Sequence, residues 1–213
     1  VKYRGHLVYV YDAYCGWCYG FTPWLRKALA ERPYLTVEVV SGGLFTGDRR
    51  VPIRRLDHIP LARHRVTAVT GAEFGPAFLD ILDRGEFVMD SEDAATGLAG
   101  LRALDPDRVV EFAGELSRAF YHDGLSLSDP DTYRLIAARH GLDAQRAAAA
   151  LTDPGYRAYA SSEFARAAGL GVTSYPTLLL DAGNGLRRLD SALAAPRNLG
   201  QVLDQALVPA RIA

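Results

Sequence analysis

Leu7-Val-Tyr-Val-Tyr11 is an unbroken apolar and aromatic run between polar neighbours, the pattern of a buried strand. After Asp12-Ala-Tyr-Cys15 the spacing changes. Phe21, Trp24, Leu25, Ala28 and Leu29 recur at helical intervals, and Pro33 ends the segment. Leu35-Thr-Val-Glu-Val-Val40 is β-branched and strand-like, closed by Ser41-Gly42-Gly43. From about Ile59 to Gly169 alanine-rich segments predict about six helices. Asp105-Pro106, Asp129-Pro130 and Asp153-Pro154 each place an N-cap acid before a first-turn proline. Gly141 suits a C-cap, with Asp143 as the next N-cap. Strand texture returns in Thr177-Leu-Leu-Leu180. Asp181-Ala-Gly-Asn-Gly185 predicts a hairpin turn and Leu186 to Leu189 a weak edge strand. Leu199, Val202, Leu203 and Ala206 predict a closing helix over Pro196 to Leu207. The order is β-α-β, a helical block, then β-β-α. It divides the chain into a sheet domain of residues 1–58 and 170–213 and an inserted all-helical domain of residues 59–169.

Composition narrows the functional classes. With 213 residues, 49% of them hydrophobic, the core can be large enough to need no disulfide staple or structural metal. Twenty-four basic against twenty-five acidic residues argue against a general nucleic-acid or anionic-membrane binder. No apolar run approaches the roughly 18 residues needed to span a bilayer. Val-Lys-Tyr-Arg-Gly-His at the start lacks the apolar core of a signal peptide, so a cytoplasmic protein is expected. Because the sequence does not begin with Met, a periplasmic protein whose signal peptide was removed is the alternative.

The informative number is the smallest. Cys15 and Cys18 are the only cysteines, in Cys-Gly-Trp-Cys. A disulfide scaffold is excluded, because this bond would close almost no loop. A four-thiolate zinc or iron–sulfur site within one chain lacks half its ligands. The thiolate is the reactive form of cysteine, and a free thiol with pKa about 8.5 is mostly protonated at neutral pH. At the N-terminus of a helix, Cys15 would lie near unsatisfied N–H groups and the positive end of the dipole, which favour the thiolate. Cys18, one turn in, lies on the same face but shielded. Cys15 is therefore the expected attacking thiol and Cys18 the resolving one. The competing reading is a structural or metal-binding pair, such as zinc shared across a dimer. Neither Gly16 nor Trp17 can place a positive charge beside the thiolate. Trp17 offers either an apolar surface for substrates or simply a packed indole.

The element order, with Tyr11-Asp-Ala-Tyr-Cys-Gly-Trp-Cys-Tyr-Gly20 near the start and Gly171-Val-Thr-Ser-Tyr-Pro-Thr177 near the end, resembles the DsbA family of thioredoxin-fold thiol–disulfide oxidoreductases. It is most similar to the bacterial branch of predicted disulfide isomerases carrying Cys-Gly-Trp-Cys-Tyr-Gly. The resemblance implies an α/β thioredoxin fold with a large helical insertion and catalysis by Cys15 and Cys18. It also implies a cis Pro176 that sets the Tyr175 backbone beside Cys15, where Tyr175 and Ser174 would meet an extended substrate. The expected partners are disulfide- or thiol-containing polypeptides or glutathione, together with a recycling redox partner. No bound cofactor or metal is expected, glutathione serving as reductant or substrate. With no cation between the cysteines, the protein is expected to be a milder oxidant than DsbA, which is poised at about −120 mV. The alternative enzyme class is the glutathione-dependent kappa-class transferases and 2-hydroxychromene-2-carboxylate isomerases. Those typically have Ser at the position of Cys15. A third reading is a non-catalytic binding groove around Pro176.

Three further features stay open in the sequence. Asp12, three residues before Cys15, is either a proton carrier for the thiols or a turn former. Glu38, inside an apolar strand, needs an edge position or a polar partner. Asp48 to Arg65 holds six arginines against two aspartates. That run is either an attractor for an anion such as glutathione or a solvated basic face.

Overall fold

The computed structural model describes residues 5–190, 192 and 195–207. Residues 1–4, part of the segment read above for a leader, lie outside the described residues. Strand β1 (Gly5–Tyr11), helix α1 (Gly16–Ala30) and strand β2 (Leu35–Ser41) form the predicted β-α-β unit, with β1 and β2 parallel. Strands β3 (Thr177–Asp181) and β4 (Leu186–Arg188) complete a four-stranded sheet in the order β2-β1-β3-β4. β3 runs antiparallel to β1, pairing Tyr9 with Leu178 and Val10 with Thr177. This register brings the start of β3, just after Pro176, to the end of β1 that feeds the cysteines.

Alternation along the strands gives the sheet two buried faces. Leu7, Tyr9, Tyr11, Leu178 and Leu180 point into the main core with Phe21 and Leu25 of α1. Val8, Val10, Val40 and Leu179 point the other way, onto Ala167 and Val172. Fully burying each such aliphatic side chain is worth about 1.5–3 kcal/mol, so both faces hold the sheet. On β2, an edge strand, Glu38 faces outward and pairs with Arg166 and His6.

Between β2 and β3 the chain forms seven helices: α2 (His58–Thr70), α3 (Pro76–Arg84), α4 (Ser91–Leu104), α5 (Val109–Tyr121), α6 (Pro130–Arg139), α7 (Ala144–Ala149) and α8 (Pro154–Gly169). Helix α9 (Leu199–Leu207) follows β4. Asp129, Asp143 and Asp153 accept hydrogen bonds from first-turn amides of α6, α7 and α8. Asp105 does not. Its side chain caps nothing, and Pro106 opens a single 3-10 turn before α5. Asp90, which has no proline after it, caps α4 through the amides of Glu92 and Asp93.

A buried pair ties the helices to the sheet. Arg102 of α4 bonds Glu163 of α8 at 2.6 Å and the Val39 carbonyl at 2.9 Å. The other oxygen of Glu163 accepts from the Ser41 amide at 3.1 Å. Glu163 is only 4% exposed, so these bonds stand in for lost hydration. They fix the end of β2, from which the loop beside the cysteines departs.

Candidate active site

The Asp12–Tyr14 turn delivers the first cysteine to the helix. The Cys15 amide donates to the Asp12 carbonyl at 3.0 Å, and Cys15 itself is the N-cap of α1, with extended φ −91° and ψ 112°. Its carbonyl accepts the first helical bond from the Tyr19 amide, while its side chain caps no amide. The early amides of α1 are therefore left directed at this end, and the first turn carries no acidic residue to oppose an anion.

Instead of capping, the Cys15 thiol donates to the Tyr175 carbonyl at 3.3 Å. The Tyr175–Pro176 peptide is cis. The Tyr175 ring lies over Gly42, where a Cβ would come within 2.1 Å of it, so only glycine admits the ring there. Ser174, by contrast, is exposed. Its hydroxyl accepts from Arg188 at 3.3 Å and its carbonyl from the Thr177 hydroxyl, so its polar contacts run along the β3–β4 side.

Cys18 is fully buried, one helical turn inside Cys15. Both thiols are free. Burial pushes the Cys18 thiol well above the ordinary cysteine range, and the neighbouring Cys15 adds to this; the Asp12 amide beside it works the other way. The Cys18 carbonyl accepts from Thr22 Oγ1 at 2.8 Å. Since that bond uses the Thr22 proton, the Tyr9 hydroxyl donates to Thr22 at 2.9 Å. The turn that carries Cys18 is thus bolted to β1.

Asp12 is both a turn former and a buried acid. Its Oδ1 accepts from the Tyr14 amide at 3.0 Å and its Oδ2 from the Leu44 amide at 2.9 Å, joining the cysteine turn to the loop after β2. Burial raises its pKa to about 6, opposed by these amides, by Ser91 and by Arg49. Arg49 also donates to the Gly43 carbonyl of that loop.

Cys15, Gly16 and Trp17 form one wall of a mainly apolar cavity of about 140 Å³. α2 supplies the facing wall, including His58, Ile59 and Arg63, and Tyr121 of α5 closes another side. The Tyr121 hydroxyl donates to the Tyr14 carbonyl, fixing the turn from below. Trp17 is 36% exposed at the mouth. Sequence reasoning located the cysteines, Asp12 and Tyr175 but missed Tyr121, Gly42, Leu44 and Arg63. Only Arg63 had a signal, as one charge within the basic run. Among the described residues no group of His, Cys, Asp and Glu is placed to hold a metal ion, and no helix is long and apolar enough to cross a membrane.

Residues 6–194 match the DSBA-like thioredoxin domain family. The chain belongs to that family. Among solved structures it is similar to the cytosolic disulfide reductase DsbM from Pseudomonas aeruginosa, at 28% identity and TM-score 0.80 over 95% of this chain and 98% of that one. The structure of DsbM with GSH matches at 29% identity and TM-score 0.78, again over 95% and 98%. A 2-hydroxychromene-2-carboxylate isomerase shares the fold alone, at 13% identity and TM-score 0.65 over 94% and 97%. No curated protein sequence matches significantly. The DSBA-like family accounts for the element order, with the helical block between β2 and β3.

Proposed function

We propose that this chain is a cytoplasmic disulfide reductase in which Cys15 attacks and Cys18 resolves, with glutathione as the electron source. The observation that carries the reading is the asymmetry of the two thiols. Cys15 stands at the helix N-terminus on the wall of a cavity, and Cys18 is sealed behind it. The likeness to DsbM supports the reductive direction, and the GSH-bound DsbM structure supports the electron source.

In the forward half, the Cys15 thiolate attacks a substrate disulfide and forms a mixed disulfide, releasing one substrate thiol. Cys18 must then lose its proton to attack Cys15 Sγ, and burial opposes that ionisation. Asp12 is the proposed proton acceptor, directly or through a water, because its pKa near 6 leaves most of it ionised at neutral pH. The Tyr175 backbone, already bonded to Cys15, is the proposed docking edge for an extended disulfide substrate. Trp17 would extend that surface with an apolar ring.

The test is glutathione-coupled reduction of insulin or of bis(2-hydroxyethyl) disulfide, followed through glutathione reductase and NADPH. Turnover proportional to enzyme concentration is expected. A rate no higher than that of glutathione alone would overturn the reductase reading.

A further inference from the structure

Of the six arginines between Asp48 and Arg65, Arg63 alone is among the residues lining the cavity beside Cys15. Among the described residues only Arg50 of the six forms an ion pair, so Arg63 is set apart by its place in the cavity and by its buried Nε. Arg50 pairs with Asp90 at 2.6 Å, and Arg49 is engaged by the Gly43 carbonyl and the Thr46 hydroxyl. Arg63 has no carboxylate partner among the described residues. Its Nη2 meets only the neighbouring His64 ring, at 3.1 Å, and its Nε is buried with no hydrogen-bond partner. A buried guanidinium N–H without an acceptor is costly, so the position is one that an incoming anion would relieve. His58, one turn earlier on α2, lines the same cavity, and no acidic side chain does.

From this juxtaposition we infer that Arg63 is a carboxylate anchor, selecting small thiols that carry a carboxylate as the reductants of the Cys15–Cys18 disulfide. The inference rests on the redox reading above and names the group that would recognise the electron donor. Size argues for a small ligand. A cavity near 140 Å³ is about that which accepts a benzene ring, so a short acyl or side-chain segment fits within it. Charge argues for an acid, since a guanidinium binds a carboxylate through paired N–H donors. Position argues for a reductant, because a molecule held there shares its cavity with Cys15.

The chemistry balances without a further reagent. A first thiolate attacks Cys15 Sγ, the disulfide bond breaks, and Cys18 leaves and takes up a proton. A second thiol attacks the sulfur of the bound molecule and releases the small-molecule disulfide and Cys15. Two small thiols are oxidised to one disulfide while the Cys15–Cys18 disulfide is reduced to two thiols.

The experiment compares glutathione with glutathione diethyl ester, which has the same thiol arm but no free carboxylate. Second-order rate constants for reducing the oxidised protein are measured by stopped-flow tryptophan fluorescence and corrected for each thiol's rate with a small disulfide. The wild type is expected to favour glutathione by about tenfold, the effect of one charge-assisted contact worth about 1.4 kcal/mol. In Arg63→Gln the ratio is expected to fall towards one, and in Arg63→Lys, which keeps the charge but not the fork, to fall part of the way. Arg65→Gln removes the same charge from an exposed position of the same helix and is expected to retain the ratio. The inference is overturned if Arg63→Gln leaves the ratio as in wild type, or if Arg65→Gln lowers it equally, which would reveal a diffuse field. If neither thiol reduces the wild-type disulfide, the redox reading itself fails, and this inference with it.

Discussion

Replacing Cys15 by serine is expected to reduce disulfide turnover to the uncatalysed rate, a fall on the order of 10³-fold or more, in a protein that remains folded. The two halves of this expectation have separate causes. A serine hydroxyl is almost wholly protonated at neutral pH and forms no disulfide, so the first bond of the cycle cannot be made. Structurally the exchange is mild. Serine is a preferred N-cap residue, and its hydroxyl can donate to the Tyr175 carbonyl as the thiol does, or bond the free first-turn amides that the thiol leaves unpaired. A thermal melt within a few degrees of wild type, together with lost turnover in the coupled assay, would locate the loss in the chemistry. Cys18→Ser is the complement. It keeps the attacking thiol, so the mixed disulfide on Cys15 should accumulate and be visible by mass spectrometry. Turnover that survives Cys15→Ser would refute the nucleophile assignment.

Asp12→Asn is expected to change how stability depends on pH. Asp12 is raised from 3.8 to about 6 in the folded state, so the native fold favours its protonated form. That contribution is fully present below about pH 3.8 and is lost as pH rises through about 6. A shift of this size corresponds to about 3 kcal/mol at neutral pH. Asparagine has no such titration. The stability of the wild type relative to Asp12→Asn should therefore fall by about 2.4 kcal/mol between pH 4 and pH 7, measured by urea unfolding at each pH. Part of the neutral-pH gain of the variant is offset, because the amide NH2 must face one of the two N–H groups, of Tyr14 or Leu44, that now bond the carboxylate. That offset is independent of pH and leaves the slope intact. The proton-acceptor role makes a second demand on the same variant: slower resolution of the mixed disulfide, with the rate no longer rising through pH 6. Parallel stability curves for the two proteins would refute the buried-acid account.

The sequence made the local parts of this site readable because their signals are local. The apolar run ending at Tyr11, the helical spacing from Phe21 onward and the cysteine pair between them place Cys15 at a helix start without any tertiary information. Asp129, Asp143 and Asp153 were readable as caps for the same reason. Asp105 misled because Asp-Pro specifies a turn opening but not its length, and here a 3-10 turn intervenes before α5. What the sequence could not show is what long-range packing creates. The Glu163–Arg102 pair joins residues 61 positions apart, and the bond from Cys15 to Tyr175 spans 160. The expectation for Tyr175 came from a family resemblance and not from pattern. The basic run after Asp48 likewise looked uniform until packing separated the paired Arg50 from Arg63 in the cavity.

Helix α2 also bears on redox poise. The Gly16-Trp17 dipeptide carries no charge, but α2 brings Arg63 to the cavity that Cys15 lines, so a cation reaches the site from outside the motif. With no cation inside the motif, the potential is expected to stay below that of a strong oxidant. The most direct measurement of the account is a redox titration of the wild-type protein in glutathione buffers, counting free thiols by alkylation and mass. Cys15 and Cys18 are expected to be lost together as one intramolecular disulfide, in a single two-electron transition at a potential below about −120 mV. Thiols that stay free across the whole range, a stable glutathione adduct in place of the intramolecular bond, or a potential at or above that value would contradict it.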